Sequence, residues 1–271
     1  MKKQHIITIT SSCIILLGVI TILYLPNKTS SKFYTEQPPT VFVHGYKGTI
    51  NSFGNMLNRF ENDYHWGNKA LIYYVSAKGK IHVDNPDNNK EDPTFVQVIF
   101  ENNRASIEDS AKGLAAVLED MRNTYYLDKI NLVGHSMGGL VSVKYLQSYQ
   151  GDVHPSVAKL ITIGSPFGGI YPEEYFQIHR DAAATDLKPD SAALQIIHEN
   201  KFPENIDVLS IGSTGDAIAM PESVQSLRTI VPSNQLQEII LENDELGHSG
   251  LHESKVVDQL IHSFLWKDKE Q

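Results

Sequence analysis

The sequence predicts a three-layer α/β/α fold, in which a mostly parallel β-sheet lies between two layers of helices. The first observation is that short apolar runs alternate with helix-like segments along residues 38–271, an order typical of parallel sheets. The second is that these apolar runs show little polar alternation, which indicates strands buried on both faces. A chain of 271 residues with 41% hydrophobic residues is large enough for one such domain and its core.

Six apolar runs and five helix-like stretches are assigned to the sheet and to its helices. The predicted strands are 39–43, 70–75, 130–133, 160–163, 208–211 and 236–241. The predicted helices are 51–61, 106–123, 137–149, 222–228 and 253–266. Because strands and helices alternate along the chain, successive strands are expected to run in the same direction.

Two longer segments interrupt this alternation. Residues 76–103 have a polar centre between alternating apolar flanks, a pattern that predicts a β-hairpin insertion. Residues 167–205 separate two predicted strands and contain helix-forming stretches around Tyr175 and Ala192. Connections of this length in a compact domain usually carry function, so a helical cover segment over a site is expected there.

The N-terminus is expected to lie outside the folded domain of residues 38–271. Ile6 to Leu25 carry no charge, follow two lysines, and as a helix would span roughly 30 Å of hydrocarbon. This pattern predicts a membrane anchor over residues 1–26 and a polar linker over 27–37, with the domain on the extracytoplasmic side of the cell membrane. A cleaved signal sequence, which would release a secreted protein, is the alternative, although no Ala-x-Ala cleavage pattern is present.

The charge and the cysteine content exclude several classes of protein. The 23 basic and 32 acidic residues give a net charge of −9, which argues against a nucleic-acid partner. A single cysteine, Cys13, cannot form an internal disulfide or a paired-cysteine zinc site. His248 and His252 are spaced like zinc ligands, but no HExxH motif or third ligand accompanies them. We therefore expect neither a metal nor another cofactor.

The segment Gly134-His-Ser136-Met-Gly138 is the strongest functional signal in the sequence. It follows the predicted strand 130–133 directly and precedes a predicted helix. A serine in a G-x-S-x-G turn of this kind projects its hydroxyl above the sheet, where it acts as a nucleophile. The amide that follows it, that of Met137, lies at the helix N-terminus and is expected to stabilise a developing oxyanion.

A second oxyanion donor is expected after the first strand. The run Val41-Phe-Val-His44-Gly45-Tyr46 ends that strand with His-Gly, and a backbone N–H of the following loop would complete the oxyanion hole. We assign this donor to Tyr46. His44 is interpreted as a structural histidine that forms hydrogen bonds within the loop.

The acid and the base are predicted from their positions relative to the strands. Asp216 lies in the loop just after the strand 208–211, where a carboxylate that orients a catalytic histidine is expected. Asp207 precedes that strand, which places it at the wrong edge, and Asp244 lies very near the expected histidine in sequence.

Two histidines follow the last predicted strand, and either can reach back to the serine. The chain order serine, aspartate, histidine selects His248 and His252 among the 11 histidines. His248 lies in the loop itself and is assigned as the base. His252 begins the last helix, and a structural role at the helix start is its expected part.

At these motifs the chain resembles the α/β-hydrolase superfamily, and more narrowly the membrane-anchored cell-surface α/β hydrolases of Gram-positive bacteria. The matching stretches are Val41-Phe-Val-His-Gly-Tyr46, Gly134-His-Ser-Met-Gly-Gly139, Ile163-Gly-Ser-Pro-Phe-Gly168, Gly215-Asp216 and His248-Ser-Gly-Leu-His-Glu253. The resemblance implies a lipase- or esterase-like fold with a triad of Ser136, Asp216 and His248 and no metal.

The expected reaction is hydrolysis of a carboxylic ester, either a small molecule or a lipid, through an acyl-enzyme. Four residues near the motifs are expected to line the acyl side: Phe167, Ile170, Tyr171 and Tyr175. The triad does not separate ester hydrolysis from acyl transfer or amide cleavage. A catalytically silent surface-binding module on the same scaffold is a further alternative.

Overall fold

The computed structural model describes residues 37–85 and 93–267. Their centre is an eight-stranded sheet with the strand order β3-β2-β4-β1-β5-β6-β7-β8. The strands are β1 (Thr40–Val43), β2 (Asn68–Val75), β3 (Ile81–Asp84), β4 (Thr94–Phe100), β5 (Lys129–His135), β6 (Ser156–Ile163), β7 (Asp207–Ser213) and β8 (Leu236–Leu241). Every neighbouring pair is parallel except β2 and β3.

The connections between strands carry the helices. These are α1 (Gly54–Asn58), α2 (Ile107–Tyr125), α3 (Met137–Ser148), α4 (Glu173–Ile178), α5 (Ala182–Asp186), α6 (Ala192–Glu199), α7 (Pro221–Gln225) and α8 (Lys255–Leu265). A π-helical turn, Arg59–Asp63, extends α1. Three 3₁₀ turns lie at Ile50–Ser52, Ser226–Thr229 and His248–Glu253.

The core lies on both faces of the sheet. Successive strand residues point to opposite faces, so Val41 belongs to one buried cluster and Phe42 to the other. The first cluster packs α2 and α3 against the sheet, and the second packs α1 and α8 against the other face. This arrangement confirms the three-layer α/β/α prediction.

The prediction of a hairpin within residues 76–103 is wrong about which strands pair. β3 forms an antiparallel hairpin with β2, whereas β4 lies inside the sheet between β2 and β1. The side chains explain the difference, because all seven residues of β4 are buried while β3 alternates between partly buried and exposed positions. Full burial suits an internal strand, and alternation suits the edge of a sheet.

Residues 167–205, which we call the cover, contain the three short helices α4 to α6. The helix α4 buries none of its residues, whereas Ala183 of α5 and Ile197 of α6 are fully buried in the core. The carboxylate of Asp186 also accepts a hydrogen bond of 2.7 Å from the amide of Ile107, at the start of α2. The cover is therefore fixed to the domain through α5 and α6 more firmly than through α4.

The apolar segment from Ile6 to Leu25, expected to be a membrane anchor, lies outside the described residues, as does most of the expected linker 27–37. Across residues 37–85 and 93–267, no helix combines the length and the apolar character needed to cross a bilayer.

Candidate active site

Ser136 occupies a strained turn between β5 and α3. Its φ of 55° and ψ of −128° place this non-glycine residue in a conformation that L-residues rarely adopt. The glycines on either side allow the turn, because a Cβ on Gly134 would lie 2.5 Å from the carbonyl carbon of Gly138. A Cβ on Gly138 would lie only 2.1 Å from the carbonyl oxygen of Val43. The spacing of the motif is thus a steric requirement of this turn.

The side chains of Ser136, His248 and Asp216 form one hydrogen-bonded chain. His248 Nδ1 lies 2.7 Å from Asp216 Oδ2, and His248 Nε2 lies 2.9 Å from Ser136 Oγ. A carboxylate can only accept, so Nδ1 carries the proton and donates it to Asp216. The other ring nitrogen is then free of a proton and accepts the hydrogen bond from the serine hydroxyl.

Asp216 is held by the backbone of the loop that follows β7. Its side chain is fully buried, and Oδ1 accepts hydrogen bonds of 2.9 Å from the amides of both Ile218 and Ala219. These donors leave Oδ2 for the histidine. The two competing carboxylates lie elsewhere: Asp207 begins β7 at the other edge of the sheet, and Asp244 accepts a 2.8 Å hydrogen bond from the hydroxyl of Thr214.

The loop after β1 lies directly against the serine. A Cβ on Gly45 would lie 2.7 Å from Ser136 Cβ and 3.2 Å from the amide nitrogen of Met137. In the part of the chain that the structure describes, the amides of Tyr46 and Met137 donate to no carbonyl and to no side chain. One unsatisfied amide donor, that of Met137, therefore lies beside the contact of Gly45 with Ser136, and a second, that of Tyr46, follows Gly45 in the same loop.

His44 is placed where a structural histidine belongs. Its Nε2 accepts a 3.0 Å hydrogen bond from the amide of Phe100, so Nδ1 is protonated and donates to the carbonyl of Gly45 at 2.8 Å. Burial lowers the pKa of His44, which keeps the ring neutral. The side chain ties the loop after β1 to the end of β4.

A buried histidine that was not predicted from the sequence, His135, contacts His248. His135 Nε2 lies 3.2 Å from the carbonyl oxygen of His248, and its ring packs 4.8 Å from the ring of His248. Burial, reinforced by the charges of His248 and His252, holds the pKa of His135 well below its usual value of 6.5. His252 packs edge-on against His135 and does not reach Ser136. The sequence signal that could have identified His135 is its position directly before Ser136 in the G-x-S-x-G motif.

The side chain of Tyr46 links the loop after β1 to the cover. We call this loop the oxyanion loop, because it contains the expected second oxyanion donor. Its hydroxyl donates a 2.6 Å hydrogen bond to Asp181 Oδ2, and the same oxygen accepts a 2.9 Å hydrogen bond from Arg104. Desolvation and the hydrogen bond to Asp181 raise the pKa of Tyr46 to about 12, so its hydroxyl stays protonated. The pairing of Tyr46 with Asp181 was not predicted, since no local motif signals it.

The four residues expected to line the acyl side are distributed over different environments. Phe167 and Ile170 are buried in the core, at 0% and 1% exposure. Tyr171 is exposed, and the ring of Tyr175 lies 6.4 Å from the ring of Tyr46. Among the described residues, Tyr175 is therefore the one of the four that contacts the oxyanion loop. The roles of all four stay predictions.

Two cavities open on the cover near these residues. One, of about 470 Å³, is lined by Phe167 and Tyr171 together with His198. The other, of about 580 Å³, is lined by Tyr171, Arg180 and Lys188 among others. Within residues 37–85 and 93–267, no group of three or more metal-ligating side chains is arranged to hold an ion.

The eight-stranded sheet, the strained turn at its centre and the hydrogen-bonded chain beside it define an α/β hydrolase. The comparison with known families agrees with this class. The chain belongs to the family described as alpha/beta hydrolase of unknown function (DUF915), whose model matches residues 27–268.

Two solved structures share this architecture, and one further relative is similar in sequence. The crystal structure of the lin2722 gene product of Listeria innocua is 26% identical, with a TM-score of 0.74, and the match covers 87% of this chain and 96% of that one. A Lactobacillus plantarum protein described as a cell surface hydrolase is 20% identical, with a TM-score of 0.66, and the match covers 85% of this chain and 90% of that one. A 1-acylglycerol-3-phosphate O-acyltransferase of Saccharomyces cerevisiae is 29% identical over 172 residues, which are 56% of this chain and 40% of the yeast protein.

Proposed function

We propose that the protein is a serine hydrolase that cleaves carboxylic esters through an acyl-enzyme. The observation that carries this proposal is the hydrogen-bonded chain from Asp216 through His248 to Ser136, at 2.7 and 2.9 Å. This is the arrangement in which a general base activates a serine hydroxyl and a carboxylate orients the base.

In the proposed first half-reaction, Ser136 Oγ attacks the carbonyl carbon of the ester while His248 Nε2 takes the hydroxyl proton. Asp216 holds the protonated Nδ1 and stabilises the positive charge that forms on the ring. The amides of Tyr46 and Met137 donate to the oxyanion of the tetrahedral intermediate. When the bond to the alcohol breaks, His248 returns the proton to the leaving oxygen.

In the second half-reaction, water replaces the alcohol. His248 Nε2 takes a proton from the water as it attacks the acyl carbon, and a second tetrahedral intermediate forms at the same amides. The bond to Ser136 Oγ then breaks, and His248 gives the proton back to the serine. The products are the carboxylic acid and the regenerated hydroxyl.

Acyl transfer is the second candidate function. The observation that favours it is the likeness to the yeast acyltransferase, which extends over 40% of that protein. The first half-reaction is the same in both cases, and the candidates differ only in whether water or another hydroxyl attacks the acyl-enzyme. Amide cleavage would use the same groups and differ in the leaving atom.

The proposed location of the reaction is the outer side of the cell membrane. The uncharged segment from Ile6 to Leu25 supports this location, because it follows Lys2 and Lys3 and is long enough to cross a bilayer. In this proposal residues 1–26 are the anchor, 27–37 the linker and 38–271 the hydrolase domain.

The test is the hydrolysis of 4-nitrophenyl esters with acyl chains of two to twelve carbons by the full-length chain and by its Ser136→Ala variant. We expect turnover by the wild type and a decrease of about 10⁴-fold or more in kcat for the variant, with the fold unchanged by circular dichroism. Added alcohols that divert the acyl group from water would support acyl transfer.

A fluorophosphonate probe gives an independent control, because it labels an activated serine whether or not the ester is accepted. Labelling of the wild type and its loss in Ser136→Ala are expected. Absence of both turnover and labelling in the wild type would contradict the proposal and favour a silent binding module.

A further inference from the structure

Two cations flank the ring of Tyr46, where the oxyanion loop meets the cover. The Lys47 ammonium lies 5.1 Å from the centre of the ring, and the guanidinium carbon of Arg104 lies 5.8 Å from it. Lys47 is exposed, and the side chain of Arg104 is 51% exposed. These two charges stand out on a chain whose net charge is −9.

Lys47 lies in the loop that contacts Ser136, and its backbone is fixed. It follows Gly45 by two residues, a span of at most about 7 Å, and a Cβ on Gly45 would lie 2.7 Å from Ser136 Cβ. The Lys47 amide donates a 2.8 Å hydrogen bond to the carbonyl of Asn103, and its φ is 57°. The backbone of Lys47 therefore follows closely on the glycine that contacts Ser136, and its ammonium lies where this loop meets the cover, beside Tyr46 and His179.

The positive charge of Lys47 is not balanced by a carboxylate. Arg104 pairs with Asp181 at 2.9 Å, whereas the described residues place no carboxylate within ion-pair distance of Lys47. The Lys47 ammonium instead donates a 2.9 Å hydrogen bond to Nδ1 of His179 on the cover. Partial burial and the charge of Lys47 lower the pKa of His179, so the ring is neutral near pH 7.

We propose that the ester cleaved at Ser136 carries an anionic group, a carboxylate or a phosphate, near its scissile carbonyl, and that Lys47 binds this group. The proposal rests on the proposed function and specifies its substrate class. An ammonium forms shorter and stronger hydrogen bonds with an anion than with a neutral imidazole, so the anion competes well for Lys47. Arg104 uses one nitrogen, Nη1, for both Tyr46 and Asp181, which leaves its other donors for the same anion.

A structural role for Lys47 makes a different prediction. If Lys47 only docks the cover through His179, its loss would disturb charged and neutral esters to the same extent. The informative quantity is therefore the ratio of kcat/KM for a charged ester to kcat/KM for a neutral ester of the same size.

The experiment compares three esters with the full-length chain. These are 4-nitrophenyl butyrate, the mono-4-nitrophenyl ester of succinic acid, and the butyrate ester of 4-hydroxybenzoate. The second carries the charge on the acyl side and the third on the leaving group, so they distinguish the two positions that the anion can occupy. For Lys47→Gln we expect the ratio for at least one charged ester to fall about tenfold. Added salt should lower the same ratio in the wild type.

Two further variants keep the result interpretable. Lys47→Arg retains the charge and should retain most of the ratio, whereas Lys129→Gln removes an exposed lysine at the start of β5, on the opposite edge of the sheet, and should leave it unchanged. A change of less than twofold in both ratios for Lys47→Gln, with the neutral ester still cleaved by the wild type, would overturn this inference alone. No turnover of any of the three esters by a wild type that the fluorophosphonate probe still labels would also overturn this inference alone, whereas no turnover and no labelling would overturn the proposed function with it.

Discussion

The two regions that meet at Tyr46 are held in different ways. The loops around Ser136, which we call the catalytic edge, are fixed by backbone contacts, such as the close approach of Gly45 to Ser136 and the two amides that hold Asp216. The cover is held at this point mainly by side chains, through the hydrogen bonds of Asp181 with Tyr46 and Arg104, and by one backbone hydrogen bond of 3.2 Å from the amide of Ala183 to the carbonyl of Arg104.

This difference predicts which of the two regions tolerates substitutions. Backbone contacts in a packed core transmit a displacement of a few tenths of an ångström to the reacting atoms, because nothing nearby can yield. A partly exposed ion pair contributes little to stability and its loss is readily absorbed by solvent. Substitutions at the catalytic edge should therefore reduce activity much more than substitutions at the contact with the cover.

The largest effect is expected for His248, the proposed base. His248→Ala should lower kcat by about 10⁴-fold or more, because the serine loses its proton acceptor. His252→Ala should change kcat by less than tenfold, since His252 packs on His135 without reaching Ser136. Steady-state kinetics on a 4-nitrophenyl ester measure both variants, and a reversed order would assign the base to His252.

A single methyl group at the catalytic edge should have the next largest effect. Gly45→Ala places a Cβ 2.7 Å from Ser136 Cβ and 2.8 Å from the carbonyl oxygen of His135, and we expect kcat to fall about 100-fold. Gly151→Ala is the matched control, because no atom lies within 4 Å of a Cβ there. If the two variants had equal kcat, the steric account of the oxyanion loop would be wrong.

Acidification should destabilise the catalytic edge through His135. Its pKa is lowered in the folded state by burial, so below about pH 6.5 the unfolded chain binds a proton that the folded chain does not. The free energy of unfolding should thus fall with decreasing pH, and His135 contributes to that slope below pH 6.5, by at most about 1.4 kcal/mol per pH unit. Urea unfolding at pH 7.5, 6.5 and 5.5 measures it.

The variant that isolates this contribution is His135→Asn, which should show a shallower dependence of unfolding free energy on pH than the wild type. The control is His65→Asn at an exposed position with a φ of 53°, which asparagine tolerates. An unchanged slope in His135→Asn would mean that His135 is not held neutral by the fold.

The smallest effect is expected at the contact with the cover. Asp181→Asn keeps the N-cap of α5 but removes the charge that pairs with Arg104. We expect a loss of less than about 1 kcal/mol in unfolding free energy and less than a fivefold change in kcat/KM for a neutral ester. A loss of activity as large as that expected for Gly45→Ala would mean that the two regions do not differ in their tolerance to substitution.

The same distinction explains how much the sequence revealed. The turn at Ser136 requires glycine at fixed positions, so steric necessity leaves a short motif that can be recognised. Asp216 and His248 follow strands whose carboxyl ends meet at one edge, so chain order was enough to predict that they lie together.

The parts that were not predicted depend on contacts between distant segments. β4 was assigned to a hairpin because its own residues do not show that it inserts between β2 and β1. Likewise, most of the strands of the sheet lie between Tyr46 and Asp181 in the sequence. No local motif indicates that these two side chains pair. Periodicity and short motifs carry no information on such partners.

Tyr46 belongs to both regions at once, since its amide is a proposed donor of the oxyanion hole and its hydroxyl contacts the cover through Asp181. The amide at this position is present with almost any side chain, whereas the phenol is specific to tyrosine. The side chain at this position can therefore change, and the contact with Asp181 with it, without loss of the amide. A single codon thus offers a route by which descendants of this chain acquire a different border between this loop and the cover while they keep the same backbone donor.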